Sequence, residues 1–131
     1  MSVTRDLFAA RNRPFGVVLE LDYEGAELPL TGASISMQVR QYAGQPGAPI
    51  GEHADVPFTD AAHDSEPGLR TLRVEPALAR ATLEAMPTGL NAPEVGEADR
   101  HFHEIKLTYA DGAQDTLWTG AFFLEPGVDD T

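Results

Sequence analysis

The chain has 131 residues, with 21 acidic against 9 basic side chains and a formal net charge of −12. A chain of this length suffices for one domain with one core, and the absence of cysteine excludes disulfides, thiolate chemistry and cysteine-based zinc sites. So acidic a surface, with Lys106 as its single lysine, repels phosphate, and we expect no direct nucleic-acid partner.

The N-terminal residues carry scattered charges and one short apolar patch, residues 7–10 (LFAA), which ends before Pro14. No apolar run reaches the length of a signal peptide or a membrane span, so we expect synthesis in the cytoplasm and no membrane partner. The patch predicts either a half-turn of helix or an arm, residues 1–14, that docks on a neighbour through Leu7 and Phe8. Such an arm is expected to be dispensable for folding.

Two segments then alternate apolar and polar residues with a period of two, the pattern of strands with one buried face. They are residues 15–23 (FGVVLELDY) and residues 30–42, in which Ala33, Ile35, Met37 and Val39 share a face. The pair Glu24-Gly25 between them indicates a turn. The simplest arrangement pairs the two strands as a hairpin or as near neighbours.

The middle of the chain is more weakly patterned. Residues 43–64 are rich in Gly, Pro, Ala and Asp and predict one or two weak edge strands, near Ile50 and near residues 56–58. Residues 69–74 (LRTLRV) predict a further strand. Residues 76–86 predict one short helix, because proline is tolerated in a first helical turn and the apolar residues after it recur at spacings of three and four.

A connection, two strands and a tail complete the chain. Residues 87–100 form a connection longer than a compact domain needs, which is typical of a functional or mobile loop. Residues 101–109 and 115–124 alternate again, and the Ala-Asp-Gly sequence between them predicts a hairpin. Residues 129–131 are expected to fray.

Short strands, turn signals and one helix predict an all-β fold, an antiparallel Ig-like β-sandwich of six to eight strands over residues 15–128. The arm would precede this domain and the tail would follow it. The expected core residues are Leu21, Met37, Val39, Tyr109, Trp118 and Phe122.

Two histidines are the best candidates for chemistry. His101 and His103 share one strand face, and two imidazoles at that spacing can share a metal ion, with Glu20 or Glu104 adding oxygen. The face continues through apolar residues at 105–109, which favours packing against the core instead. We find no serine-nucleophile elbow and no phosphate-binding loop, and we expect no catalytic residue, cofactor or metal, hence no enzyme.

Interface candidates come from the strands and the long connection. Phe102 and Phe123 fall on the outward phase of their strands, which predicts either an exposed interface patch or a second buried face. In the long connection, Asn91, Glu94 and Val95 are candidate contact residues.

Three segments together resemble a known family. They are ELPLTGASISMQVRQ, PALARATLEAMP at residues 76–87, and IKLTYADGAQDTLWTGAFFLEPGV. In this order they resemble the small β-sandwich virion domains of tailed bacteriophages and prophages, and are similar to the N-terminal domain of phage upper-baseplate proteins. The resemblance covers residues 15–128. Residues 91–100 depart from it as an insertion, and His101 and His103 stand where aromatic residues are commoner.

The resemblance implies a non-enzymatic structural protein located in the virion, most simply a tail or baseplate adaptor. Its partners would be other virion proteins, with several copies in a symmetric assembly. One alternative is a capsid decoration (cement) protein. The other is a carbohydrate-binding β-sandwich module, with Trp118 or the pair Phe102 and Phe123 as its stacking platform.

Overall fold

A computed structural model describes residues 2–89 and 94–131. Within these ranges the chain forms strands and one short helix. In chain order they are β1 (Val3–Thr4), β2 (Leu7–Ala10), β3 (Phe15–Gly16), β4 (Leu19–Glu24), β5 (Ser34–Arg40), β6 (Gly51–His53), β7 (Phe58–Ala62), β8 (Leu69–Val74), β9 (Ala77–Leu78), α1 (Arg80–Ala85), β10 (Asp99–Thr108) and β11 (Gln114–Glu125).

Two sheets and one short strand pair make up the fold. The main sheet has the order β1-β11-β10-β5-β6, and β2 also pairs with β11. The second sheet has the order β4-β8-β7, and β3 pairs with β9. One core joins the two sheets, because Leu19 and Leu72 of the second sheet belong to the same buried cluster as Met37, Ile105 and Phe122 of the main sheet.

The expected all-β, Ig-like sandwich with one short helix is confirmed. The strands number more than the six to eight expected, since elements of two or three residues such as β1, β3, β6 and β9 are too short to show a period. The sheets are not wholly antiparallel. Both β1 and β2 run parallel to β11, whereas the other strand pairs are antiparallel.

The expected hairpin between the first two long strands is wrong. Strand β4 pairs with β8 in the second sheet, whereas β5 pairs with β10 and β6 in the main sheet. Each of the two strands has one apolar face, and a hairpin would turn both faces to the same side. Placing the strands in opposite layers lets the two faces cover one another.

Other expectations for the middle of the chain are confirmed. Strands β6 and β7 each lie at the edge of a sheet, and β8 lies between two partners. The helix is shorter than the predicted segment, because Ala77 and Leu78 pair with β3 before it begins. Of the expected core residues, all are buried except Tyr109, which is half-buried against the core.

The hairpin of β10 and β11 is also confirmed, but its register shifts between Ile105 and Lys106. Gly112 closes the turn, donating its N–H to the carbonyl oxygen of Tyr109 at 2.9 Å. The shift breaks the period of two in β11, so that the consecutive residues Leu117 and Trp118 are both buried.

The N-terminal residues do not form a separate arm. The expected half-turn of helix is wrong, and the expected docking arm is instead part of the chain's own main sheet. Leu7 is 3% exposed, and Ala9 and Ala10 are buried with it. Leu7 and Ala9 point into the core and Phe8 between them points outward, so one face of β2 completes the core beside β11.

The C-terminal tail, expected to fray, lies against two other parts of the chain. Asn12 donates its side-chain Nδ2 to the carbonyl oxygen of Asp129 at 2.8 Å. Arg80 donates to Thr131 at 3.2 Å and approaches the carboxylate of Asp130 at 3.5 Å. The tail is exposed, but these bonds tie it to α1 and to the segment after β2.

We expect Leu7→Ala to lower the free energy of unfolding by about 2–4 kcal/mol, as for other buried leucines cut to alanine. Urea denaturation checks this. The matched control is Phe8→Ala in the same strand, which faces outward and should cost less than about 1 kcal/mol. Equal and small losses for the two variants would mean that β2 does not contribute to the core.

Candidate functional site

Register across three strands gathers aromatic side chains on the outer face of the main sheet. Phe8 of β2 lies opposite Phe123 of β11, and Phe123 lies opposite Arg100 of β10. Phe102 follows two residues after Arg100, on the same side of β10. We call these four residues the aromatic–arginine patch.

The side chains of the patch form two contacting pairs. The rings of Phe8 and Phe123 are stacked, with centroids 5.2 Å apart and planes 15° apart. The guanidinium carbon of Arg100 lies 5.0 Å from the ring centroid of Phe102, a cation–π distance. Phe8 is 62% exposed, whereas Phe102 and Phe123 are half-buried. The patch is therefore on the surface, and the alternative of a second buried face is wrong.

The interface candidates do not all fall here. The structure brings Phe8, Phe102 and Phe123 together, but it buries Leu7 beneath them in the core. Arg100 was missed, although its place two residues before Phe102 put it on the same strand face.

Two candidates lie in the long connection, where Glu94 is exposed and Val95 is fully exposed. Asn91 lies outside the described residues. Trp118 is 1% exposed, so it cannot serve as the stacking platform of a carbohydrate-binding module.

A groove of about 550 Å³ borders the patch, between Phe102 and the turn that follows β5. One wall is held by Arg40, whose guanidinium donates to the carbonyl oxygens of Gln45 at 2.9 Å and Gly47 at 2.7 Å. Other polar side chains of the groove are also bonded within the chain, such as Thr119 to the carbonyl of His103 at 3.2 Å. This bonding indicates a structural role for these groups.

Both histidines lie in the core, as the apolar continuation of their strand face predicted. His101 is 0% and His103 is 3% exposed. Burial lowers the pKa of each imidazole below its ordinary value, opposed by the carboxylate of Asp99 for His101 and by the Arg5 carbonyl and Asp6 for His103. Among the described residues, no cluster of three or more His, Asp or Glu side chains is placed to hold a metal ion.

His103 holds the N-terminal segment at the point where β1 gives way to β2. Its Nε2 donates to the carbonyl oxygen of Arg5 at 2.7 Å. The carboxylate of Asp6 accepts the backbone N–H of Ala121 at 3.1 Å. A side chain at Gly120 would collide with the carbonyl of Arg5, so only glycine permits this approach. We call these five residues the N-terminal clip.

A second polar cluster joins three strands of the second sheet. The hydroxyl of Tyr23 donates to the carboxylate of Asp60 at 2.8 Å, and Arg70 pairs with the same carboxylate at 3.2 Å. Burial and the bond to Asp60 raise the pKa of Tyr23. Each group is bonded to another within the cluster, which indicates that it stabilises the sheet.

Comparison with known proteins adds little. No protein-family model matches the sequence, and no curated protein matches it. One solved structure found by similarity is AggA, the major subunit of aggregative adherence fimbriae type I from Escherichia coli, at 8% identity and a TM-score of 0.32 over 91% of this chain and 89% of that chain. A TM-score this low carries no argument. In the part of the chain that the structure describes, no helix is long and apolar enough to cross a membrane.

We expect the free energy of unfolding to fall as the pH drops below about 6.5, where unfolded histidine begins to bind protons. Because burial lowers the pKa of His101 and His103, the folded state binds those protons later. As the pH falls, the decrease in the free energy of unfolding therefore begins near the histidine pKa of the unfolded chain and ends near that of the folded chain. Its slope is at most about 1.4 kcal/mol per pH unit for each histidine.

Urea denaturation at pH 7.5 and 5.5 measures this loss. The comparison variant is His101→Met, which keeps a side chain of similar volume and should show a smaller loss between the two pH values. An unfolding free energy that does not change across this range in the wild type would contradict the expectation.

Proposed function

We propose that this chain is a non-enzymatic structural subunit of a tailed phage or a phage-like particle, a tail or baseplate adaptor located in the virion. It acts by contacts with other virion proteins. Two kinds of support combine here: the sequence resemblance over residues 15–128, and a surface in the structure suited to protein contact.

The aromatic–arginine patch is the single observation that carries the proposal of a contact protein. Aromatic residues and arginine are enriched at the centres of protein interfaces and supply most of their binding energy. Phe8 is 62% exposed beside the half-buried Phe123, so the stacked rings form an apolar ledge on the main sheet. A partner that covers this ledge removes apolar area from water.

The placement of the titratable groups also favours a structural role over catalysis. His101 and His103 are buried in the core, and His103 is bonded to the main chain of Arg5. The carboxylate of Asp60 is bonded to Tyr23 and Arg70 within the second sheet. His103 and Asp60 border surface grooves, but their bonds within the chain favour a role in stabilising the fold.

The same observations disfavour a carbohydrate-binding module. Trp118 is buried, and the ring of Phe123 is stacked on Phe8, which leaves only part of each ring for a sugar. The side chains of Arg40 and Thr119 in the adjoining groove already bond within the chain. A sugar would have to displace those bonds.

We expect a labelled copy of the chain, produced in cells that assemble the phage or phage-like particle, to appear at the tail end of purified particles by negative-stain imaging. Phe8→Ser should reduce incorporation at least tenfold, which corresponds to about 1.4 kcal/mol of binding. The matched control is Val128→Ser, which removes an exposed apolar side chain (102% exposed) from the tail and should incorporate normally.

Labelling spread over the capsid would instead indicate a decoration protein. Absence of the wild-type label from particles would overturn the virion proposal altogether.

A further inference from the structure

Strand β7 lies at the edge of the second sheet and pairs with β8 alone. The bonds just outside the strand show which of its residues face β8. Pro57 accepts the N–H of Glu75 at 3.0 Å, and His63 donates its N–H to the first residue of β8 at 3.0 Å. Hydrogen-bonded and non-hydrogen-bonded pairs alternate along an antiparallel ladder, so the main-chain groups of Thr59 and Ala61 also face β8.

The N–H and C=O groups of Phe58, Asp60 and Ala62 therefore point away from β8, along an open edge. No residue in the described ranges is bonded to them. The side chain of Asp60 is only 5% exposed, although the residue as a whole is half-buried. Part of its exposed area is therefore main chain, which an added strand can reach.

The strands at the other sheet edges are shorter or carry charge. In the main sheet, β1, β2 and β6 have two, four and three residues. Strand β4 carries Glu20, Asp22 and Glu24 alternately along its exposed side, and charged side chains are a common protection of edge strands. The exposed side chains of β7 are by contrast those of one threonine and two alanines. Its edge is the least protected of those that the structure describes.

A groove of about 510 Å³ borders this edge, lined by residues 58–60 and by residues 27–31. The second wall is held in place, since Leu30 donates its N–H to the carbonyl oxygen of Leu28 at 2.9 Å. The N–H of Leu28 also lies 3.4 Å from the hydroxyl of Tyr23. Leu28, Leu30 and Phe58 are only partly buried against the core. The groove thus gives room beside β7 for a side chain of an added strand.

The charges around the groove favour a neutral or basic occupant. Arg70 is shared between Asp60 at 3.2 Å and Glu27 at 3.8 Å. The side chain of Glu27 is still 70% exposed. Asp64, just after β7, is exposed and has no ion pair within 4 Å among the described residues. Carboxylates therefore outnumber cations at this edge.

Two further basic side chains of the second sheet do not change this balance. Arg73 lies on the strand beside β7 and is paired with Glu75 at 3.5 Å. His63 lies 3.8 Å from Asp22, an ion pair only when the imidazole is protonated. A second copy of the chain would bring the same excess of carboxylates to the contact, so a different protein meets less repulsion here.

We propose that β7 binds an extended segment of a different protein, which adds as a further strand to the second sheet. Its main chain pairs with Phe58, Asp60 and Ala62, its residues are uncharged or basic, and one side chain enters the groove beside residues 27–31. For the identity of that protein, another virion subunit, the inference rests on the proposed function. In this mode, main-chain bonds supply affinity and the groove selects the side chain.

Two variants close the edge in different ways. Ala62→Pro removes one outward N–H, and proline is tolerated where the N–H of an edge strand faces solvent. Thr59→Lys combined with Ala61→Lys leaves the main chain intact and places two cations beside the edge. The matched control is Ala61→Thr, an uncharged change at an exposed position that suits a strand. Urea denaturation confirms that each variant is folded.

The probe is a synthetic peptide of alternating threonine and valine with a lysine at each end. Added to the full chain, it should shift the amide NMR signals of Phe58, Asp60 and Ala62 and slow their hydrogen exchange. The control variant should bind it like the wild type. Both closed-edge variants should bind it at least tenfold more weakly, and so should the wild type with a glutamate-ended peptide.

Three results would overturn the inference: no shift at β7, equal binding by the closed-edge variants, or a wild-type chain whose β7 edge is covered by a second copy in sedimentation and NMR. The adaptor proposal is read separately, from the labelled wild type in particles. A wild type that labels particles should lose at least tenfold of its incorporation with Ala62→Pro, and normal incorporation of that variant would count against the inference. A chain that binds the peptide but is absent from particles would overturn the adaptor proposal alone.

Discussion

The parallel pairing of β2 with β11 is the interaction on which both the fold and its surface depend. Without it, residues 122–125 of β11 would present unpaired N–H and C=O groups at an open sheet edge, which invites aggregation. The same pairing turns Leu7 into the core and places Phe8 on Phe123 outside. One strand therefore closes the sandwich and also builds the ledge that we assign to protein contact.

A parallel edge strand of four residues has little to hold it in register, and a slip of one residue would exchange the places of Leu7 and Phe8. The N-terminal clip prevents this slip. His103 donates to the carbonyl oxygen of Arg5, and Asp6 accepts the N–H of Ala121. Both bonds form only when β2 pairs with β11 in the observed register. Burial makes the imidazole of His103 costly to protonate. An apolar side chain at this position would avoid that cost, but it could not donate a hydrogen bond to the carbonyl oxygen of Arg5.

The sequence predicted those strands in which apolar and polar residues alternate strictly, because a period of two indicates a strand with one buried face. Residues such as Met37 and Leu107 therefore fell on the correct side. The sequence could not predict how the strands pair. The strands of Leu21 and Met37 have equally apolar faces, and nothing local shows that the two faces cover one another from opposite sheets. For the site, the outward phase of Phe102 and Phe123 was readable, but Phe8 joins them through a parallel register that residues 7–10 do not encode locally.

The net charge of −12 sets a condition on any assembly of this chain with itself. Copies repel at long range, but at physiological salt that repulsion is screened beyond about 8 Å, whereas groups in contact still interact. The charges that meet at a contact surface then decide whether two molecules attract or repel one another. On this mostly acidic surface, Arg40 and Arg100 lie beside aromatic rings at one end of the main sheet. Carboxylates lie on both outward faces, those of Glu20 and Glu24 on β4 and those of Glu52 and Glu104 on the main sheet. A partner less acidic than this chain therefore meets less repulsion at either face than a second copy would.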